Sequence, residues 1–320
     1  MTTPALLAVL RAPHTHAALT AEGDALRATD GARFPIVDGV PILIDEDRSL
    51  FRLADFTAAG PAVPPSIGRR LRAAVRARLG GSPVSERNFA RLADLLDARH
   101  AASGREQRVL VVGGGILGYG MDALVGRSGI ALVETDVYVG PRTQVVCDAH
   151  DLPFADGTFD AVVIQAVLEH VLDPPRVVAE IGRVLAPDGL IYSEIPFMQQ
   201  VHEGAYDFTR YTRTGHRRLL RCFDELDSGA VSGPAVSLVW AVRYLAVALA
   251  GPSRRAQKLA DLLARLLTLP LVPLDRMLLD RPAALDGASG TWVLGRLRAA
   301  PVPDRDVIAG HRGVNGTPDR

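Results

Sequence analysis

Short, mainly apolar runs alternate with helical patterns in the middle of the chain. The runs occupy residues 109–112, 130–133, 144–146, 161–164 and 190–193. Such runs are typical of parallel strands that are buried on both faces. Residues 175–185 have helical spacing instead. The alternation predicts an α/β fold with a doubly wound sheet, covered by helices on both faces.

The residues before this region have a different pattern. Apolar residues at 34–44 flank Asp38 and Gly39, which predicts a β-hairpin with its turn at that pair. Residues 57–68 are rich in Pro, Ala and Gly and predict a linker. Helical spacing then resumes over residues 69–96.

The C-terminal part predicts two apolar helices at 236–249 and 256–267 and a late strand at 291–296. The residues after 301 are polar and rich in Gly and Pro, so we expect a loose tail. We divide the chain into five parts. Residues 1–48 are an N-terminal ribbon-like segment, residues 49–106 a linker with leading helices, and residues 107–230 a sheet core. Residues 231–300 are a helical cap with the final strand, and residues 301–320 are the tail.

Composition excludes several classes of protein. With 48% hydrophobic and 22% charged residues, the chain can bury a full core. Its 36 basic residues balance 36 acidic ones, so we expect no nucleic-acid partner. Two cysteines cannot supply a four-thiolate zinc site, and we expect no metal site and a cytoplasmic location.

A glycine-rich turn follows the first central strand. Gly113, Gly115 and Gly118 let the backbone turn tightly and approach a ligand closely. Asp136 ends the second strand and can accept hydrogen bonds from the ribose hydroxyls of an adenosine. This pair of features fits a nicotinamide dinucleotide and S-adenosylmethionine equally well.

The following segments favour one of the two. They include Asp148-Ala149, the sequence D-L-P-F at 151–154, Q-A-V-L-E-H-V-L-D-P at 165–174 and L-A-P-D-G at 185–189. In order and spacing, residues 107–230 resemble class I S-adenosylmethionine-dependent methyltransferases of the broad type 11 group. The resemblance implies a Rossmann-like sheet of seven mostly parallel strands.

The resemblance also implies a set of cofactor contacts. Asp136 would bind the ribose hydroxyls, Asp148 would accept from the adenine amino group, and Gln165 would lie beside the sulfonium. The predicted cofactor residues are Gly113, Gly115, Gly118, Asp136, Asp148, Ala149 and Gln165.

The chain departs from the family pattern in the first central strand. The family usually has an acidic residue two positions before the first glycine, where this chain has Val111. Leu117 also stands where a third glycine is common. A protein that binds the cofactor without turning over therefore stays an alternative.

Residues 194–212 follow the fifth central strand and resemble the H-E-x-x-Y-D-F-x-R-Y-T stretch of a subset of these methyltransferases. Open α/β sheets bind ligands at this end of their strands. His202, with His170 as the second candidate, could act as a general base. The predicted catalytic residues are His202, His170 and Asp207, and the predicted substrate residues are Glu203, Tyr206 and Arg210. A simpler interpretation pairs Asp207 with Arg210 and packs the aromatic residues into a lid.

The first 48 residues resemble the small zinc-ribbon proteins that partner tRNA and protein methyltransferases. The resemblance rests on Pro13, Gly31, residues 34–36 and residues 38–41. The four metal-binding cysteine positions of that family are Ala12, Thr15, Arg27 and Asp30 in this chain. We therefore expect a metal-free ribbon with a packing or docking role.

The two C-terminal helices, over residues 236–271, allow two kinds of partner. Their leucines lie among arginines and a lysine, which fits peripheral membrane contact or capture of a lipid-linked acceptor. The interpretation that we prefer is a helical cap that buries its leucines on the sheet or in a homodimer.

Three functions remain open at this point. The first is methyl transfer from S-adenosylmethionine to a hydroxyl or carboxyl oxygen of a small molecule or glycan. The second is a cofactor-binding pseudoenzyme or scaffold, and the third is an NAD-dependent oxidoreductase.

Overall fold

A computed structural model describes residues 3–57 and 82–314. Its strands are β1 Leu19–Glu22, β2 Ala25–Ala28, β3 Arg33–Val37, β4 Val40–Leu43, β5 Gln107–Val112, β6 Ile130–Asp136, β7 Val145–Cys147, β8 Phe159–Gln165, β9 Leu185–Pro196, β10 Phe223–Ser232 and β11 Gly290–Leu297. Its α-helices are α1 Pro4–Val9, α2 Leu53–Thr57, α3 Pro83–Ser103, α4 Pro174–Val184, α5 Arg213–Leu219, α6 Pro234–Leu249, α7 Arg254–Thr268, α8 Asp275–Leu278, α9 Pro282–Asp286 and α10 Asp304–Ala309.

The strands form one mixed sheet in the order β1-β2-β3-β4-β7-β6-β5-β8-β9-β11-β10. Strands β5 to β9 are parallel to one another, and β11 runs antiparallel between β9 and β10. The predicted Rossmann-like α/β sheet is confirmed. The predicted count of seven strands is wrong, because the N-terminal segment adds four strands to the same sheet.

The N-terminal strands join the sheet through a single edge. β1 to β4 form an antiparallel meander, and β4 pairs in parallel with β7. The predicted hairpin is confirmed, with Asp38 and Gly39 both at positive φ in the turn between β3 and β4. Ile42 of β4 is fully buried where it pairs with Val146 of β7.

The connections between the central strands differ from the prediction. A helix, α4, links β8 to β9, as the spacing indicated. The connection from β5 to β6 contains no α-helix, only a 3-10 turn at Met121–Ala123, and β6 leads to β7 through a loop. Strands therefore do not alternate with helices throughout the sheet.

Apolar side chains cover both faces of the sheet. On one face, Phe89, Leu92 and Leu96 of α3 pack against Val109 and Val111 of β5. The other face holds apolar residues of α1 and α4, packed with β8 and β9. The core domain also extends beyond the predicted limit at 230, because β11 lies inside the sheet.

The C-terminal helices contradict one part of the preferred interpretation, burial on the sheet, while burial in a homodimer stays a prediction. α6 and α7 pack on each other, with Arg243 paired to Asp261 at 2.8 Å. Their leucines are not buried on the sheet, since Leu249 is 79% exposed and Leu267 is 76% exposed. No helix in the described part of the chain is long and apolar enough to cross a bilayer.

The predicted loose tail is partly structured. Residues 304–309 form α10, and its Val307 is buried. Arg217 of α5 donates a hydrogen bond to the Gly310 carbonyl at 2.9 Å. Part of the predicted linker and leading helices, residues 58–81, lies outside the described residues.

Docking of the meander is testable through Ile42. We expect Ile42→Ala to lower the free energy of unfolding by about 2–5 kcal/mol, because it empties a fully buried site at the β4–β7 seam. Urea denaturation measures this change. Thr20→Ala, on the exposed side of β1, is the control and should change stability by less than about 0.5 kcal/mol. Equal effects of the two substitutions would show that the meander does not pack on β7.

Candidate functional site

A cavity of about 640 Å³ opens at the carboxyl ends of the central strands. Its walls combine the turn after β5, the ends of β6 and β7, the segment after β8 and two more distant loops. The lining residues are Leu50, Phe51, Val112, Gly113, Thr135, Asp136, Val137, Tyr138, Cys147, Asp148, Ala149, His150, Ala166, Val167, His170, Val171, Leu172, Glu203 and Tyr206. This is the position where open α/β sheets bind their ligands.

The glycine turn closes tightly on its neighbours. Gly113 has a φ of +76°, and a Cβ added there would come within 2.3 Å of Val167 Cγ2. The Gly115 amide donates a hydrogen bond to Asp136 Oδ2 at 2.9 Å. Glycine is therefore required at position 113 both for its backbone conformation and for its packing.

Two carboxylates line the cavity at adjacent strand ends. Burial raises the pKa of Asp136, although the amides of Gly115 and Val137 donate to it and oppose that shift. Burial also raises the pKa of Asp148, but hydrogen bonds from His150 and Ser49 outweigh it and leave the pKa below its usual range. Both sites can accept hydrogen bonds from a polar ligand.

The other predicted cofactor residues divide into two groups. Gly113 and Ala149 line the cavity. Gly115 does not line it, but its amide donates a hydrogen bond to Asp136 in the cavity wall. Gln165 is not in the cavity wall, because its amide donates to Glu194 at 2.9 Å and to the Tyr119 carbonyl at 3.3 Å. Gly118 lies beside Gln165, where an added Cβ would come within 2.0 Å of Gln165 Oε1.

Glu194 lies in a buried hydrogen-bond network that the sequence did not indicate. It accepts hydrogen bonds from Ser85 at 2.7 Å, from Gln165 and from Tyr192. Burial raises the pKa of Glu194, and these three donors oppose the shift. The network ties α3 to the ends of β8 and β9, next to the glycine turn.

The stretch that follows β4 contributes directly to the cavity. Ser49 donates a hydrogen bond to Asp148 Oδ2 at 2.6 Å. Phe51 lines the cavity and stacks on Tyr206, with ring centroids 6.4 Å apart. Sequence reasoning missed both residues, because nothing in local spacing relates positions 49–51 to positions near 148 and 206.

A carboxylate and two imidazoles meet at the cavity wall. Glu169 is fully buried, and neither of its carboxylate oxygens has a hydrogen-bond partner among the described residues. Its Oε1 lies 3.6 Å from His170 Nε2 and 4.0 Å from His202 Nε2. Burial raises the pKa of Glu169 to about 8. The two predicted bases therefore lie together, next to a glutamate that the sequence did not single out.

The predicted substrate residues, and the predicted catalytic residue Asp207, do not all reach the cavity. Glu203 and Tyr206 line it, whereas Asp207 and Arg210 form an ion pair outside its wall. Hydrogen bonds from Arg210 hold the pKa of Asp207 well below its usual range. Arg210 also donates to the Gln199 carbonyl at 2.9 Å, so this pair holds the loop, as the simpler interpretation expected.

Two features bear on the alternative functions. Val111, in place of the usual acidic residue, is buried in the core against α3. The glycine turn leads into a 3-10 turn rather than an α-helix. Dinucleotide sites place the pyrophosphate at the amino end of a helix, and this turn offers none, which disfavours the oxidoreductase alternative.

Comparison with known proteins identifies the central segment. Residues 129–193, from β6 into β9, match a family model described as a methyltransferase domain. The match confirms the predicted methyltransferase domain and, with it, S-adenosylmethionine as the predicted cofactor. The N-terminal resemblance to zinc-ribbon proteins stays a prediction.

Individual relatives share parts of the chain. A ubiquinone/menaquinone biosynthesis C-methyltransferase of Desulfotalea psychrophila is 54% identical over 44 residues, which is 14% of this chain and 18% of that protein. An uncharacterized methyltransferase of a Mycobacterium species is 34% identical over 155 residues, 42% of this chain and 61% of that protein. The chain thus spans less than two thirds of the length of each of these relatives.

One solved structure that is similar to this chain is the 1,6-didemethyltoxoflavin-N1-methyltransferase of Burkholderia thailandensis. It is 16% identical, with 89% of this chain and 98% of that chain covered at a TM-score of 0.37.

The role of Asp136 is testable by calorimetry with S-adenosylmethionine. We expect Asp136→Ala to raise the Kd at least about 10-fold, because a buried acceptor at the strand end is lost. Asp122→Ala, at an exposed position in the 3-10 turn, is the matched control and should leave the Kd unchanged. Circular dichroism checks that Asp136→Ala still folds, since Gly115 loses its acceptor. A folded Asp136→Ala variant with an unchanged Kd would place the ribose site elsewhere.

Proposed function

We propose that this chain is an S-adenosylmethionine-dependent methyltransferase that methylates a hydroxyl or carboxyl oxygen of a small molecule or glycan. One observation carries the proposal. The cavity that is lined by Gly113, Asp136 and Asp148 is also lined by His170, Glu203 and Tyr206. Residues suited to an adenosine and residues suited to a polar acceptor therefore share one space, of a size usual for ligand sites.

The residues present fit the cofactor on structural grounds. Gly113 keeps the backbone at the cavity open where any side chain would collide with Val167. Asp136 and Asp148 present acceptors at neighbouring strand ends, suited to ribose hydroxyls and an adenine amino group. Bound S-adenosylmethionine supplies an electrophilic methyl group on a positively charged sulfur.

The proposed reaction needs alignment more than covalent catalysis. With the cofactor bound, the acceptor oxygen would take the methyl group, and the sulfur would keep the electron pair of the broken carbon–sulfur bond. A hydroxyl acceptor also loses its proton, which the cluster of Glu169, His170 and His202 is placed to receive. A carboxylate acceptor needs no proton removal.

The pseudoenzyme alternative keeps one supporting observation. Val111 leaves the first central strand without the acidic residue that the family places there. The buried Glu194 holds a carboxylate near the glycine turn, but that carboxylate accepts a hydrogen bond from Gln165 at 2.9 Å. A protein that binds the cofactor yet methylates no acceptor in a broad panel would fit this alternative.

The exposed face of α6 and α7 supports a second part of the proposal. We propose that this face contacts an anionic membrane surface, which would bring a lipid-linked acceptor to the cavity. The face presents Leu259, Leu263 and Leu267 beside the exposed cations Arg254 and Arg255. Apolar residues flanked by basic residues are typical of helices that lie on membranes.

Methyl transfer is testable with methyl-labelled S-adenosylmethionine and a panel of hydroxyl and carboxyl acceptors. We expect label in an acceptor, and we expect His170→Gln to lower kcat about 100-fold because the proton acceptor is lost. The Kd for S-adenosylmethionine should stay unchanged. His14→Gln, at an exposed position in the N-terminal turn, is the control and should retain wild-type kcat. A protein that binds S-adenosylmethionine but transfers label to no hydroxyl or carboxyl acceptor of the panel would contradict oxygen methylation.

Membrane contact is testable by co-sedimentation with vesicles that contain phosphatidylserine. We expect the chain to bind these vesicles, and the double substitution of Leu263 and Leu267 by Glu to abolish binding, because it places charge on the apolar face. Arg298→Glu, at the residue that directly follows β11, is the control. If the chain does not bind the vesicles and the double substitution instead dissociates a dimer in solution, the face is a homodimer interface.

A further inference from the structure

Glu169 has an environment that a carboxylate rarely keeps without a partner. Its side chain is 0% exposed, and both oxygens lack hydrogen bonds within the described residues. The nearby guanidinium of Arg210 is already engaged by Asp207 and by the Gln199 carbonyl. Burying an unpaired carboxylate is costly, and a positively charged partner beside Glu169 would offset that cost.

Two imidazole nitrogens face this carboxylate. Nε2 of His170 and Nε2 of His202 lie 3.6 Å and 4.0 Å from Glu169 Oε1. One possible ligand atom from each of the three residues falls within 4.8 Å of the others. Ligands about 2.1 Å from a tetrahedral ion lie about 3.4 Å from one another, so small side-chain movements would close the set on an ion.

The other nitrogen of each imidazole is held by oxygen acceptors. His170 Nδ1 lies 2.8 Å from the Tyr206 carbonyl. His202 Nδ1 lies 3.2 Å from the Gln200 carbonyl and 3.4 Å from Asp207 Oδ2, and these acceptors outweigh the contact of Arg210 Nη2 at 3.4 Å. A proton on Nδ1 leaves the lone pair of Nε2 directed at the cluster. Metal-binding histidines are oriented by outer hydrogen bonds of this kind.

We propose that Glu169, His170 and His202 bind a divalent transition-metal ion. Two imidazoles and one carboxylate favour ions such as Mn²⁺, Co²⁺ or Zn²⁺ over Mg²⁺, which prefers oxygen ligands. No metal site was expected from the sequence, because its two cysteines cannot supply a four-thiolate zinc site. His170 and His202 are 32 positions apart in the sequence, and the three proposed ligands come together only in the fold.

The position of the site gives the ion a role that rests on the proposed function. His170 lines the cavity, so an ion held by three protein ligands would present its open coordination positions there. An acceptor hydroxyl bound at such a position loses its proton more readily. In that case both histidines act as ligands, and the proton passes to solvent rather than to either histidine.

The experiment uses the full chain without an affinity tag, freed of metal by EDTA and desalting. Co²⁺ titration is followed by visible absorption, and Mn²⁺ titration by loss of the free-ion electron paramagnetic resonance signal. We expect one ion per chain. Glu169→Gln and His202→Gln should each weaken binding at least about 10-fold, because each removes a ligand. Glu86→Gln and His14→Gln, at exposed positions, are matched controls and should bind as wild type does.

Thermal unfolding gives a second readout that does not depend on activity. Co²⁺ should raise the Tm of the wild type by several degrees and leave the Tm of Glu169→Gln unchanged, since only the native wild-type site binds the ion. Glu169→Gln should fold, because it removes a buried charge and keeps the shape of the side chain. Folded wild type that binds neither ion, or variants that bind as tightly as wild type, would overturn the proposal.

The outcomes for metal binding and methyl transfer are separable. Saturable binding lost in Glu169→Gln, without methyl transfer to any acceptor, supports the metal site and overturns the proposed function. Oxygen methylation that persists at full rate in EDTA, with no ion bound, overturns the metal site and supports the proposed function.

Discussion

The hydrogen bond from the Gly115 amide to Asp136 Oδ2 connects the turn after β5 with the end of β6. This bond requires a backbone that reverses sharply after a buried strand, and Gly113 supplies the reversal at positive φ. It also requires parallel strands whose carboxyl ends lie side by side. The cavity exists because these conditions place Asp136, Asp148 and the segment after β8 around one opening.

The chain encloses this opening with segments from distant parts of the sequence. The meander pairs β4 with β7, which brings Ser49 to Asp148 and Phe51 to Tyr206. On the other side, the Glu169 carbonyl accepts from the Phe208 amide at 2.8 Å and ties the loop after β9 to the segment after β8. The meander thus positions the stretch that forms part of the cavity wall, in addition to extending the sheet.

Sequence reasoning predicted the features that depend on local pattern. The apolar run before Gly113 and the hairpin turn at Asp38 and Gly39 were readable, because burial and turn conformation restrict residue type directly. Strand β10 was missed, since its D-E-L-D-S-G sequence is polar for a strand at the sheet edge. The exposure of Leu249 and Leu267 was also missed, because an apolar helix pattern does not reveal what covers it.

The candidate site was predictable only in part, for the same reason. Asp136 and Asp148 follow strands, so their place at the cavity follows from the order of elements. Gln165 also ends a strand, but its side chain turns to Glu194, and nothing in the sequence specifies that hydrogen bond. The Glu169 cluster depends on a loop returning from residue 202, and such a contact is set by tertiary packing alone.

The most direct measurement of the central claim is a crystal structure of the chain with S-adenosylhomocysteine, the product of methyl donation. The account predicts that the ribose hydroxyls lie within hydrogen-bond distance of Asp136, with the adenine near Asp148 and the sulfur toward His170. A ligand bound outside the cavity, or bound in it with its ribose away from Asp136, would contradict the account.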